Sequence, residues 1–326
     1  MVELAEVFRQ HGEAYRAKYG ARMLASHRRV MQDIKHCRNA ALGGQVYVCP
    51  ECGEEQYVYH SCRNRHCPKC QHDKAQRWLE AQQDLLLPVV YFLLTFTLPE
   101  KLRSVARSHQ RLVYALLFRV SAEAIQQLGQ DERWVGGQMG MLGVLHTWGR
   151  NLAYHPHVHY LVPGGGIGAD GRWRPSRANF LLPVKALSRL VRGKFRAALR
   201  QADEAVLATI PAAVWQEDGV VHCQPVGRGR NAVKYLAPYI FRVAISNRCI
   251  LKLAEGKVTF RYRTSDTGKL RICTLPAEEF IRRFLQHVLH LSCTGQVQGP
   301  RGSSRCAITV SSVWASGSDW RHCVNS

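Results

Sequence analysis

Residues 154–166 read Tyr154-His155-Pro156-His157-Val158-His159-Tyr160-Leu161-Val162-Pro163-Gly164-Gly165-Gly166, or "YHPHVHYLVPGGG". Three histidines stand at every second position and run straight into an apolar stretch. On a strand, residues two apart share a face, so His157 and His159 project together while Val158 turns into the protein. Such a pair is half of a metal site. Upstream, "GMLGVLHTWGR" predicts an apolar strand over 137–147 that ends near His146. A hairpin-like connection sets it beside the predicted strand at 157–162, so that His146, His157 and His159 converge on one ion. Three imidazoles suit Mn, Zn, Ni or Co better than a caged Mg ion, and substrate phosphate oxygens shift that preference.

What such a metal acts on is suggested by charge. The chain has 326 residues, about two domains' worth, with 45 Lys and Arg against 24 acidic residues and a net charge of +21. An excess of that size is the electrostatic footprint of a polyanion binder, and nucleic acid is the first candidate. A phosphodiester then becomes the expected substrate, its non-bridging oxygen polarised by a divalent ion. The N-terminal "MVELAEVFRQHGEAY" lacks a basic n-region and an apolar h-region, so no signal peptide is read there. The longest apolar run, "LLLPVVYFLLTFTL" at 85–98, is too short for a bilayer and contains Pro88. It reads as a helix end followed by a buried strand, in a soluble intracellular protein with no membrane association.

Reduced cytosolic thiols in clusters bind metal more often than they form disulfides. Of the 12 cysteines, Cys49 and Cys52 form the knuckle "CPECG" and Cys67 and Cys70 the knuckle "CPKCQ", fourteen residues apart. That spacing predicts one structural zinc held by Cys49, Cys52, Cys67 and Cys70. Cys37, Cys62 and His66 are read as small buried groups in preference to a second site. Around the second knuckle, Arg63, Arg65, Lys69, Lys74 and Arg77 offer a phosphate-contacting surface on a zinc-stiffened loop.

From 88 onward the pattern predicts a strand (88–98), a helical region (100–129), the two histidine strands, a helix (183–208), two strands near 249–263 and a helix opening at "PAEEFIRRFLQHVL". That mixture predicts an α+β fold, helices against one antiparallel sheet, with no internal repeat. In "NAVKYLAPYIFRVAISN", Tyr235 and Tyr239 lie four apart and share one helix face. A phenolate stabilised by a nearby cation or metal is an effective phosphorus nucleophile. Lys234 and Arg242 flank the pair as DNA-contacting cations, and Pro238 kinks the helix between them, which makes Tyr235 the preferred nucleophile.

Taken together, "SCRNRHCPKCQ", "LHTWGRNLAYHPHVHYLVPGGG" and "KYLAPYIFRVAISN" resemble the HUH-type two-tyrosine rolling-circle transposases of the IS ninety-one kind of insertion sequence, over roughly residues 5–290. The resemblance implies an HUH-endonuclease-like antiparallel sheet with flanking helices, preceded by a small zinc-ribbon-like domain. The corresponding division is 1–84 for the zinc domain, 85–290 for the catalytic domain and 291–326 for a tail. It further implies His157 and His159 as paired ligands of Mg or Mn, with His146 as the third. The resemblance implies too that Tyr235, with Tyr239 as second tyrosine, attacks single-stranded DNA at element ends, leaving a 5′-phosphotyrosine and a free 3′-hydroxyl, in a bacterial cytoplasmic protein associated with the nucleoid.

Where the family's basic, aromatic continuation is expected, the last 36 residues instead contain no Lys or Glu, eight Ser and three Cys. That composition suggests a frameshifted end. Cys249, in "SNRCI", stands where another basic residue suits a DNA-contacting strand. Two alternatives explain part of the pattern. A zinc-ribbon DNA-binding protein without catalysis leaves the histidines and tyrosines idle, and a water-using phosphodiesterase tolerates Tyr235→Phe. A replication initiator or relaxase shares the chemistry but not the zinc module.

Overall fold

The computed structural model describes residues 2–149, 151–240, 244–264 and 268–288, without the side chains of 72–74 and 237–240. The predicted tail and Arg242 lie outside the described residues, as do the side chains of Lys74 and Tyr239. In chain order the elements are α1 (Leu4–Tyr19), α2 (Ala25–Lys35), β1 (Gly44–Val48), β2 (Glu55–Tyr59), α3 (Pro68–Asp84), β3 (Tyr91–Thr97), α4 (Arg103–Ser108) and α5 (Gln110–Gly129). There follow β4 (Leu142–Trp148), β5 (Tyr154–Pro163), β6 (Gly165–Ile167), β7 (Trp173–Pro175), α6 (Val184–Ala202), α7 (Glu204–Ala208), β8 (Val220–Pro225) and α8 (Arg230–Ile240). The described chain closes with β9 (Ile250–Ala254), β10 (Lys257–Arg263), β11 (Leu270–Pro276) and α9 (Ala277–Leu285). The fold is α+β with antiparallel pairings, and two compact units divide it. One takes residues 1–78, 148–154 and the 241–291 stretch; the other takes 79–147 and 155–240. This partition is discontinuous in sequence, whereas the sequence reading cut the chain into consecutive segments.

The second unit is built on a four-stranded sheet of order β4-β5-β3-β8. Of its central strands, β3 is a near-continuous apolar run and β5 becomes one after His159, as burial on both faces requires. Phe92, Leu94 and Phe96 of β3 and Val158, Tyr160 and Val162 of β5 are all buried, and α5 covers this side through Phe118 and Ser121. The Tyr160 hydroxyl donates to the Phe118 carbonyl oxygen at 2.9 Å and lies 2.9 Å from Ser121 Oγ, so its burial leaves no polar atom unmatched. Gly143 on β4 is required here. A Cβ would come within 2.7 Å of the Tyr160 ring and 2.9 Å of the Phe118 ring. Because side chains alternate along a strand, the opposite face of β5 receives His157 and His159.

In the first unit, amphipathic α1, α2 and α9 bury Leu4, Val7, Phe8, Met31, Ile34, Phe280 and Phe284 against the inner face of the sheet β11-β10-β9. Edge-to-face aromatic pairs join Phe8 to Phe284 and Phe260 to Phe280, with centroids 5.6 and 5.7 Å apart. Neither β11 nor the β1–β2 hairpin was expected from the sequence. Both carry exposed side chains, so the apolar alternation that betrays a half-buried strand is weak in them.

Candidate metal centres and an adjacent tyrosine

β3 pairs with β5 so that Thr95 opposes His159 and Thr97 opposes His157. On the far side of β5, His146 of β4 completes a buried trio. The three rings stand 4.6 to 4.9 Å apart, centroid to centroid, at interplanar angles of 78° to 88°. One nitrogen from each lies within 4.8 Å of the other two. His146 Nδ1 and His157 Nε2 are 2.8 Å apart. Mutually perpendicular imidazoles with converging nitrogens are what a divalent ion needs from three protein ligands, leaving further positions for substrate or water.

Ring orientation is fixed from behind. Nδ1 of His157 donates to the His155 carbonyl oxygen at 2.6 Å, which presents Nε2 to the site. Nδ1 of His159 lies 2.8 Å from Thr95 Oγ1, which does the same for its Nε2. Burial pushes His157 down to about 4, so it stays a neutral ligand at physiological pH. His155, the first histidine of the quoted stretch, is not one of the converging rings. Its Nδ1 accepts from Arg103 Nη2 at 3.0 Å, and burial followed by the Arg103 charge lowers its pKa. Sequence reasoning missed Thr95 and Arg103; only the strand register and the α4 position bring them in.

Tyr235, on the second turn of α8, sits beside this trio, its ring centroid 5.8 Å from that of His159. Lys234 is exposed on the same helix. The helix runs through Pro238 to Ile240, and the 235/239 spacing is therefore helical as expected.

The second cluster corrects the reading of the cysteines. Four thiols do converge, but they are Cys37, Cys62, Cys67 and Cys70. Cys37 Sγ is 3.4 Å and Cys62 Sγ 3.6 Å from Cys70 Sγ. A tetrahedral zinc with Zn–S bonds of about 2.3 Å requires sulfurs about 3.8 Å apart, so the set fits. The crowding also perturbs the thiols. Hydrogen bonds from Cys62 and Cys67 pull Cys37 down to about 2, and the same contacts push Cys62 up and Cys67 up to about 12. A bound cation would favour the thiolate form of all four.

Cys49 and Cys52 instead occupy the turn of the β1–β2 hairpin, where Cys52 is exposed. Backbone amides of Cys52 and Glu51 pointing at the Cys49 sulfur lower its pKa. Regular spacing misled here because knuckle periodicity says nothing about which loop folds back on which. Asn64, a residue the sequence did not single out, does that folding. Its side chain donates to Asp33 at 2.8 Å and accepts from the His66 amide, while its carbonyl oxygen accepts from Gln71 and Cys67. His66 is buried next to the cluster in sequence but is not one of its four ligating groups. Of the cations predicted around this loop, Arg63 is exposed with a left-handed φ of 52°. Arg65 is half-buried, and Lys69 is tied to Glu3 at 2.7 Å.

Residues 7–98 match the family described as "Transposase zinc-binding domain", and residues 140–294 match the family described as "Putative transposase". A "Putative transposase y4qJ" of Sinorhizobium fredii is 41% identical over 310 residues, covering 88% of this chain and 77% of the relative. The chain belongs to the IS91-type transposases with an N-terminal zinc-binding domain. The transposase for insertion sequence element IS801 of Pseudomonas savastanoi pv. phaseolicola is 27% identical over 77% of this chain and 64% of its own length. Among solved structures, a bacterial tRNA(His) guanylyltransferase-like protein in complex with ATP covers 67% of this chain and 98% of its own. Its 9% identity and TM-score of 0.22 are too low to bear on the fold. None of the described helices is long and apolar enough to cross a membrane.

Proposed function

We propose that this chain is a DNA transposase of the rolling-circle type, with an HUH-like catalytic unit that nicks and rejoins single-stranded DNA at element ends through Tyr235. The observation that carries the reading is the Tyr235 ring, 5.8 Å from His159 and beside the buried histidine trio. The phenolate oxygen of Tyr235 attacks phosphorus as the bond from phosphorus to the 3′-oxygen breaks. The phenol proton goes to solvent, the departing 3′-oxygen takes up a proton, and the 5′ end stays joined to the tyrosine. Because a phosphoester replaces a phosphoester, attack by a second 3′-hydroxyl reverses the exchange without ATP. Tyr239 serves as the second nucleophile for that exchange.

His146, His157 and His159 would hold Mg or Mn, which supplies Lewis-acid polarisation of the scissile phosphate. The residues do the rest. Thr95 and the His155 carbonyl orient the imidazoles, and Lys234 and Arg242 hold the strand by its phosphates. Cys37, Cys62, Cys67 and Cys70 would hold the structural zinc, which stiffens the loop carrying Arg63 and Arg65. The reading is tested by the ends it makes. With a single-stranded oligonucleotide carrying the element end and Mn or Mg, the 3′ fragment boundary is extendable by a polymerase and the 5′ end is blocked. Two unblocked ends would instead indicate water as nucleophile.

A further inference from the structure

Outside both clusters, the sheet β11-β10-β9 has one face covered by helices and one open face. The inner face carries Val258, Phe260, Leu253, Cys273 and Leu275, all packed into the core of the first unit. By alternation, the outer face receives Lys257, Thr259, Arg261 and Arg263 from β10. Register adds Lys252 and Ala254 from β9, and Leu270, Ile272, Thr274 and Pro276 from β11. Lys252, Lys257, Arg261 and Arg263 are exposed, and no carboxylate projects from this face among the described residues. Some described surface cations elsewhere are matched, as Lys18 is by Glu278 and Lys69 by Glu3. Among the described residues no ion pair holds Lys252, Lys257 or Arg261.

We propose that this open sheet face is a second DNA-contacting surface, distinct from the tyrosine site, which grips duplex DNA by its phosphates. Charge selects a polyanion, and side-chain type selects the form. None of the outward residues is aromatic, so the face has nothing on which to stack splayed bases, the usual means of holding a single strand. Lysines, arginines and paired threonine hydroxyls are phosphate ligands instead, and Thr259 Oγ1 and Thr274 Oγ1 stand 2.9 Å apart at the centre of the face. Arg261 and Arg263 lie two residues apart on one side of the strand, about 6.8 Å, a spacing equal to the axial rise of two nucleotides of B-DNA at about 3.4 Å each. The grip is therefore sequence-independent and strongly salt-dependent. It gives the chain a hold on duplex DNA separate from the single-strand chemistry at Tyr235, an inference that rests on the proposed function.

The test uses the full chain with Lys252, Lys257 and Arg261 changed together to Gln, all exposed positions whose loss leaves the core intact. Binding to a 30-base-pair duplex is measured against salt, alongside the single-strand adduct reaction. A matched variant with Lys185, Arg189 and Arg200 of α6 changed to Gln serves as the charge control. The expected result is a log–log salt slope shallower by about 3, near one per removed phosphate contact. Duplex affinity should fall at least tenfold, and adduct formation on a short single strand should be unchanged. An unaltered slope, or an equal change in the α6 control, would overturn the proposal. So would loss of binding to anionic lipid vesicles with duplex binding intact. Failure of the tyrosine reading appears separately, as absence of the adduct in the unmodified chain.

Discussion

The two ligand clusters are both convergent and, apart from the half-buried Cys62, both buried, yet they are assembled in opposite ways. The histidine trio comes from two adjacent strands, where a two-residue period and sheet pairing leave the side chains no other face. The thiol cluster comes from four positions spread over 33 residues, brought together by irregular chain that Asn64 ties to Asp33 and Gln71. Regular secondary structure transmits sequence spacing directly into space. Irregular chain does not, and its ligands are specified by hydrogen bonds that no spacing rule encodes.

The largest effect separates the two sets of cysteines. Structural zinc contributes on the order of 10 kcal/mol to folding in small zinc domains. Cys37→Ser or Cys62→Ser should therefore lose one bound zinc and the cooperative unfolding of the first unit, measured by metal analysis and thermal melting. Cys49→Ser should leave that zinc in place, and loss of it would restore the two-knuckle site. Next, the histidine face depends on packing behind it. Gly143→Ala should cost about 1–3 kcal/mol through collision with Tyr160 and Phe118, read as a denaturant midpoint. Gly20, with an ordinary φ of −57° and nothing within 4 Å of an added Cβ, should respond far less to the same substitution.

Orientation of His159 is worth less than its presence. Thr95→Val should weaken Mn binding about 10–100-fold, as loss of an outer-shell partner does, and Thr95→Ser should restore it; titration of the metal alone checks both. Equal affinities would remove Thr95 from the site. The smallest effect is on the surface of the first unit. Arg282, with Arg283, holds Glu279 down to about 2, below its ordinary value. A carboxylate depressed on folding stabilises above its unfolded pKa and loses that contribution as pH falls toward its folded one. Wild type should exceed Glu279→Gln by no more than about 1 kcal/mol near neutrality, and the two denaturation midpoints should merge between pH 4.5 and 2.

Much of the candidate site was legible because its residues sit on regular elements. His157 and His159 followed from alternation, His146 from the expected pairing of its strand, and Tyr235 from helical spacing together with family resemblance. Thr95 was invisible, since only the β3–β5 register places it against His159. The roles of Cys37 and Cys62 were hidden by the more conspicuous knuckle at Cys49 and Cys52. The strands β1, β2 and β11 escaped notice because their side chains are exposed on one or both faces. The basic sheet face was likewise not visible until β11 supplied its third strand.

The most direct test of the account is denaturing electrophoresis of the full chain after incubation with 5′- or 3′-labelled single-stranded DNA bearing the element end, plus Mn or Mg. The account predicts a labelled band at protein mass that disappears in Tyr235→Phe and in His157→Ala. Cleavage without any adduct, persisting in Tyr235→Phe, would contradict it and make water the nucleophile.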